Sequence, residues 1–293
     1  MSIWPDVAEQ ISAATGKPFA ARAVRTRGSA LNATAVVEDG ERMYFVKHNT
    51  ADRIGMLRAE AAGLDELAGT HTLLVVRPIC CGISGTQAFL VLEHADLADR
   101  NDTIDADLGR GLAALHAQHR DHFGWRQDNT IGTTPQSNQP TDDWPAFWAG
   151  QRLAPQLAIA ADQGYTGRVQ DQGAALLARV RAFFPGHGPA PSLVHGDLWS
   201  GNAAACGGRA IVYDPAVYYG DRETDLAMTE LFGGFSPAFY AAYAACYPLD
   251  PGYQVRKTLY NLYHVLNHLN LFGGGYLGQA ERMMARLLTE VGT

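Results

Sequence analysis

The side chains best suited to chemistry lie in two short stretches, Leu193 to Asn202 and Ile211 to Pro215. Leu193 and Val194 lead into His195, Gly196 and Asp197, and Asn202 follows five residues after that aspartate. A second apolar run, from Ile211, ends on Asp214. Phosphoryl transfer needs a carboxylate beside the attacking hydroxyl and oxygen ligands that hold a divalent cation against the phosphates. The pattern H-x-D-x-x-x-x-N, followed by a strand-borne aspartate, supplies these groups. Asp197 is the expected catalytic base, and Asn202 and Asp214 are the expected magnesium ligands. His-Gly-Asp alone would read as a turn, since Gly and Asp favour turns for backbone reasons. The spacing and the two flanking apolar runs single it out.

Such a loop must be met by elements that hold a nucleotide, and residues 1–93 read as that lobe. Trp4, Val7, Ala8 and Ile11 recur at helical spacing behind Pro5. Strand-like runs follow at Phe19 to Thr26, Ala33 to Glu38 and Arg42 to Lys47, the last two joined by an Asp39-Gly40 turn. The connection Arg27 to Asn32, with Gly28 and Ser29, stands where a phosphate-covering loop belongs, and an ordinary hairpin connection is the equal alternative. Lys47 ends an apolar strand, the position from which a lysine reaches the α- and β-phosphates if a helix glutamate fixes it. The stripe Ile54, Leu57, Ala61 and Leu64 predicts that helix over residues 52–67, with Glu60 as partner and Asp65 and Glu66 as competitors. Strands are expected at Leu73 to Ile83 and Gln87 to Leu92. Glu93 and His94 then fall at the hinge, where backbone groups would read the adenine edge.

Residues 94–293 read as a mostly helical lobe. Asp102-Thr103 offers a cap for a helix with Ile104, Leu108, Leu112 and Leu115 on one face. Phe123 to Asp143 reads as a long loop, and Val169 to Phe184, Pro237 to Cys246, Gln254 to Phe272 and Leu277 to Val291 as helices. His116, His119 and His122 match no metal motif and read as satisfied or solvated histidines. Asp225 is placed to support the Asp197 loop from below. The fold class expected is α+β: a two-lobed protein-kinase-like fold with a small antiparallel-sheet lobe, one main helix in it, and a larger helical lobe.

Composition sets the outer limits. The 293 residues, 47% hydrophobic and 18% charged, describe a globular chain long enough for two lobes. A net charge of −7 argues against nucleic acid as a partner. No run reaches membrane-spanning length, the start lacks a leader pattern, and a cytoplasmic protein without membrane partners is expected. Cys80, Cys81, Cys206 and Cys246 show no C-x-x-C spacing and read as free thiols.

With both lobes in place, the chain resembles the fructosamine kinase (ketosamine-3-kinase) family, itself similar to aminoglycoside and choline kinases. The resemblance rests on Leu193 to Asn202, on Asp214 to Glu223, on Asp225 to Phe235, and on Phe123-Gly124-Trp125, Asp142-Asp143-Trp144 and Leu266 to Gly273. It implies transfer of the ATP γ-phosphoryl to the 3-hydroxyl of a sugar–amine adduct. A phosphate at C3 is a good leaving group, so the adduct then falls apart and frees the amine. The resemblance implies Asp197 as base, Asn202 and Asp214 on magnesium, Lys47 with Glu60 on the phosphates, and Trp199 as a wall for the sugar-amine. Ketosamine small molecules or glycated protein lysines are the implied partners. The family's usual glycine-rich loop often carries a cysteine that can bridge subunits; Arg27 to Leu31 has one glycine and no cysteine, so a monomer or weak dimer is expected. A kinase of another small alcohol, such as an aminoglycoside or choline, and a non-catalytic nucleotide-binding scaffold are the alternatives.

Overall fold

A computed structural model of the protein describes residues 2–28 and 32–292, and Ser29 lies outside the described residues. In chain order the first elements are α1 (Trp4–Thr15), β1 (Ala23–Gly28), β2 (Ala33–Glu38), β3 (Met43–Thr50), α2 (Ile54–Ala68), β4 (Leu74–Val75), β5 (Pro78–Ser84) and β6 (Gln87–Glu93). Then come α3 (Asp102–His116), β7 (Asn129–Ile131), β8 (Thr134–Gln136), α4 (Trp144–Trp148), α5 (Ala154–Asp162), α6 (Arg168–Leu177) and β9 (Ser192–Val194). The chain closes with β10 (Ala203–Cys206), β11 (Arg209–Val212), β12 (Tyr218–Gly220), α7 (Glu223–Leu231), α8 (Pro237–Cys246), α9 (Tyr253–Phe272) and α10 (Leu277–Glu290). Two compact units result: Met1–Arg100 with Ala203–Pro215, and Asn101–Asn202 with Ala216–Thr293. No helix among the described residues is long and apolar enough to cross a membrane.

The first unit is built on an antiparallel sheet in the order β1-β2-β3-β6-β5. Strand side chains alternate between faces. Ala35, Val37, Tyr44, Val46, Phe89 and Val91 cluster with Val7 and Ile11 of α1. Lys47, one residue past Val46, therefore projects from the other face, where α2 lies. Register sets Lys47 opposite Thr34 on β2 and Leu90 on β6. The strand expected over 73–83 is two strands. Leu74 and Val75 run parallel to β11, whereas Pro78–Ser84 pairs with β6 through an irregularity at Pro78/Cys80. Proline has no N–H to continue a ladder, so the chain changes sheets there.

In the second unit, Asn101 rather than Asp102 or Thr103 caps α3, accepting the Ile104 amide at 3.0 Å. The expected loop 123–143 holds the β7–β8 hairpin, whose buried amides are cross-linked: Gln136 and Asn138 both donate to Asn129 Oδ1. Trp144, Phe147, Trp148, Tyr218, Tyr260 and Tyr263 form an aromatic core. Arg152 is fully buried within it, its guanidinium 4.1 Å from the Tyr218 ring and 4.6 Å from that of Phe147, and it donates to Ser137 O and Asn138 Oδ1. Strand β9 pairs with β12, Val194 opposite Tyr218, and this pairing carries the chain to His195.

Candidate active site

Within the first unit, Lys47 is 6% exposed, and its ammonium donates to Glu60 Oε1 and to Asp214 Oδ1, each at 2.6 Å. Strand β3 supplies the lysine, α2 the glutamate, and the turn just after β11 the aspartate. Burial works against charge on Lys47, but the two carboxylates outweigh it and hold the ammonium above its ordinary range. Burial pushes the Glu60 carboxyl up, partly offset by Lys47. With so short a contact to an ammonium, we take the pair as ionised at neutral pH. Asp214 has φ of 57°, in the left-handed region. Few residues but glycine adopt it readily; a short polar side chain such as aspartate is tolerated there. That turn takes the chain out of β11.

Within the second unit, the loop after β9 is fixed by its backbone. Gly196 has φ of 82°, and a Cβ there would lie 2.1 Å from Ala216 O, so only glycine fits. The buried Asp225 carboxylate, from the first turn of α7, accepts the amides of His195 at 2.7 Å and Gly196 at 2.9 Å. His116 Nε2 meets the same carboxylate at 3.1 Å, and its Nδ1 meets the Tyr243 hydroxyl at 2.8 Å, so this histidine is satisfied. Burial would raise the Asp225 carboxyl, but His116 and the loop groups outweigh it and hold it below the usual range. Asn202 Nδ2 donates to Asp197 O at 2.9 Å and to Asp197 Oδ2 at 3.2 Å. With its nitrogen committed to Asp197, the amide oxygen is the Asn202 atom of the right chemistry for a hard cation. Asp214 in the first unit and Asn202 in the second each carry an oxygen donor of the kind magnesium takes, so each residue's chemistry fits that ion.

The other expected site residues are placed as follows. Trp199 is 39% exposed, and its ring lies over Gly201, where a Cβ would come within 2.3 Å of the indole. Glu93 ends β6 and its amide donates to Arg77 O at 2.8 Å, while His94 Nδ1 lies 3.7 Å from Asp96. Gly28 ends β1, paired opposite Ala33. The cysteines are free; burial pushes the Cys80 thiol up to about 12 and Cys81 to about 11, so neither of these two is a thiolate at neutral pH. Arg152 carries no motif, and only a long cation amid an aromatic-rich sequence could have hinted at it.

This geometry can be set beside known proteins. Residues 3–290 match the family model for fructosamine kinase. A probable ketoamine kinase of Synechocystis sp. is 49% identical over 288 residues, covering 97% of both chains. The chloroplastic protein-ribulosamine 3-kinase of Arabidopsis thaliana is 37% identical over 257 residues, covering 86% of this chain and 78% of that one. A crystal structure from Haemophilus somnus 129PT, provisionally named a fructosamine-3-kinase, superposes with a TM-score of 0.91 at 27% identity, covering 98% of this chain and 100% of that one. Aminoglycoside phosphotransferase APH(4)-Ia, solved as a ternary complex with AMP-PNP and hygromycin B, gives 0.64 at 14% identity over 98% and 99% of the two chains, a likeness of fold. An antiparallel sheet with a strand-borne lysine, a helical unit and a match over nearly the whole length lead to one assignment: the chain belongs to the fructosamine kinase family and is a phosphotransferase of the kinase-like fold.

Proposed function

We propose that the chain is an ATP- and magnesium-dependent ketosamine 3-kinase, acting in the cytoplasm on ribulosamine, erythrulosamine or fructosamine adducts and so initiating deglycation. The observation that carries this reading is the double contact of Lys47 with Glu60 and Asp214. A buried ammonium fixed by a helix glutamate is the arrangement that holds transferring phosphates in such enzymes. Asp197 orients the C3 hydroxyl and takes its proton; Asn202, through its bonds to Asp197, fixes that carboxylate. Asp225 keeps the loop rigid by occupying two of its amides. Asn202 and Asp214 would hold magnesium, which when bound neutralises charge on the phosphate oxygens. Gly28 and Ser29 would cover the phosphates, the backbone at Glu93 and His94 would meet the adenine, and Trp199 would wall the sugar. The names of the relatives, ketoamine kinase and protein-ribulosamine 3-kinase, support the acceptor class.

The test is incubation with ATP, magnesium and the three adducts, followed by mass spectrometry of the sugar. A gain of one phosphate on at least one adduct is expected. ATP consumption with choline or an aminoglycoside, and with no adduct, would replace this reading with the other small-alcohol kinase.

A further inference from the structure

A chain of buried amides runs from Arg152 to the loop that carries Asp197. The guanidinium is fully buried, yet its partners are carbonyl oxygens, one amide oxygen and ring faces, with no carboxylate among them. A buried cation without a counter-charge opposes folding, and an apolar side chain would fill an aromatic core without that cost. What the cation adds is direction. The oxygen and nitrogen ends of a side-chain amide are alike in shape, so its partners decide which way it faces. Arginine can only donate, and Arg152 Nη2, 2.7 Å from Asn138 Oδ1, therefore turns the oxygen of that amide toward itself. Asn138 Nδ2 then donates to Asn129 Oδ1 at 2.9 Å, which leaves Asn129 Nδ2 to donate to Val217 O at 2.8 Å.

A second donor enters from α9. Tyr263 donates to Gln136 Oε1 at 2.7 Å, and Gln136 Nε2 donates to Asn129 Oδ1 at 2.8 Å and to Ala216 O at 3.2 Å. Burial raises the Tyr263 hydroxyl, Arg152 opposes the rise and the Asp197 carboxylate adds to it, so the phenol keeps its proton and stays a donor. Asn129, Gln136 and Asn138 are buried as well, so bulk water does not compete for these bonds. Both branches end on the carbonyls of Ala216 and Val217. The Ala216 amide in turn donates to His195 O at 2.9 Å, and its oxygen would lie 2.1 Å from a Cβ on Gly196. The Ala216 peptide thus abuts the two residues that lead into Asp197.

We propose that Arg152 is a positioning residue for phosphoryl transfer: its guanidinium orients the amide chain, the chain holds the Ala216 peptide, and that peptide sets where the loop presents Asp197. The proposal rests on Asp197 as the base in the reading above. Being fully buried, Arg152 meets no substrate, so its loss lowers kcat and spares the binding steps.

The experiment measures kcat and KM of the full chain for ATP and for whichever ribulosamine, erythrulosamine or fructosamine adduct the parent phosphorylates. Counting kcat per nucleotide-binding site leaves unfolded protein out. In Arg152→Met and in Gln136→Met kcat is expected to fall roughly 30- to 100-fold, the scale of a reacting group displaced by about 1 Å, with both KM values within about twofold. Arg152→Lys, a donor-only cation without the fork, is expected to return kcat to within about fivefold of the parent. Arg152 and Gln136 are joined through Asn138 and Asn129, so independent roles would multiply in the double variant, whereas one chain gives a loss no larger than that of the worse single variant. Gln136→Met leaves Arg152 in place and keeps the test open if Arg152→Met does not fold. Unchanged kcat in Gln136→Met, multiplied losses in the double variant, or a raised KM at constant kcat overturns the positioning role alone. Full turnover by Asp197→Asn, or no adduct phosphorylated by the parent, overturns the reading it rests on as well.

Discussion

Lys47 holds two carboxylates at once, and that makes it the residue whose loss is easiest to read. Lys47→Met leaves Glu60 buried without a cation, and a cycle with Glu60→Gln tests whether the two act as one unit. The double variant is expected to lose no more activity than Lys47→Met alone, as measured by steady-state kinetics at saturating ATP. Asp214 shares the same ammonium, so a bare divalent ion meets a carboxylate already matched by an internal counterion. Metal and nucleotide are therefore expected to arrive together: titration calorimetry should detect magnesium binding far more strongly with a non-hydrolysable nucleotide present. Asp197 answers a different test. Asp197→Asn should keep nucleotide affinity while phosphorylation falls about 100-fold or more, the scale of a lost general base. At this scale the sequence is most legible, because Asp197, Asn202, Asp214 and Lys47 stand out by type and spacing. What it hides is Arg152, whose partners are carbonyl oxygens and ring faces assembled from several separate segments.

The loop after β9 is an element held by one carboxylate beneath it. Asp225→Asn puts an NH2 group against one of two backbone amides and weakens the contact to His116, and a loss of about 2–3 kcal/mol is expected from urea unfolding. The sign of the acid effect follows from the direction of the shift. A carboxyl held below its unfolded value of about 3.9 stabilises the fold above that pH, and the stabilisation is lost as pH falls through the folded value. The variant should therefore show a flatter fall in stability below about pH 4 than the parent. Gly196→Ala is expected to be worse for activity than for yield, because the strain falls on the loop itself; kcat beside a far-UV spectrum will separate the two. Helices were readable wherever apolar residues recur every three or four positions, as in α3, α8 and α9. The split of residues 73–84 into two strands was not, since its cause is a partner strand far along the chain. Only the Arg77-Pro78 step marks the place locally.

On the scale of the whole molecule, stability in the second unit leans on a buried polar chain. His187 sits between Asp221 at 2.6 Å and Asp250 at 3.1 Å, Tyr260 donates to Asp221 at 2.5 Å, and Glu223 is gripped by Arg256 at 2.7 and 2.9 Å. Burial lowers the His187 imidazole, but Asp221 outweighs it and the net shift is upward. That stabilisation is complete below the unfolded value of about 6.5 and is lost as pH rises through the folded one. Thermal unfolding of His187→Gln should accordingly differ most from the parent at acid to neutral pH and converge with it in alkaline buffer. The grouping of 203–215 with the first hundred residues has an equal reach. The backbone crosses from one unit to the other after Arg100, after Asn202 and after Pro215. A gene cut at the first crossing would therefore give a piece lacking β10 and β11, with Asp214 gone and β4 left unpaired. Fusing the hairpin's coding sequence behind codon 100 is the shorter route to a fragment that folds by itself.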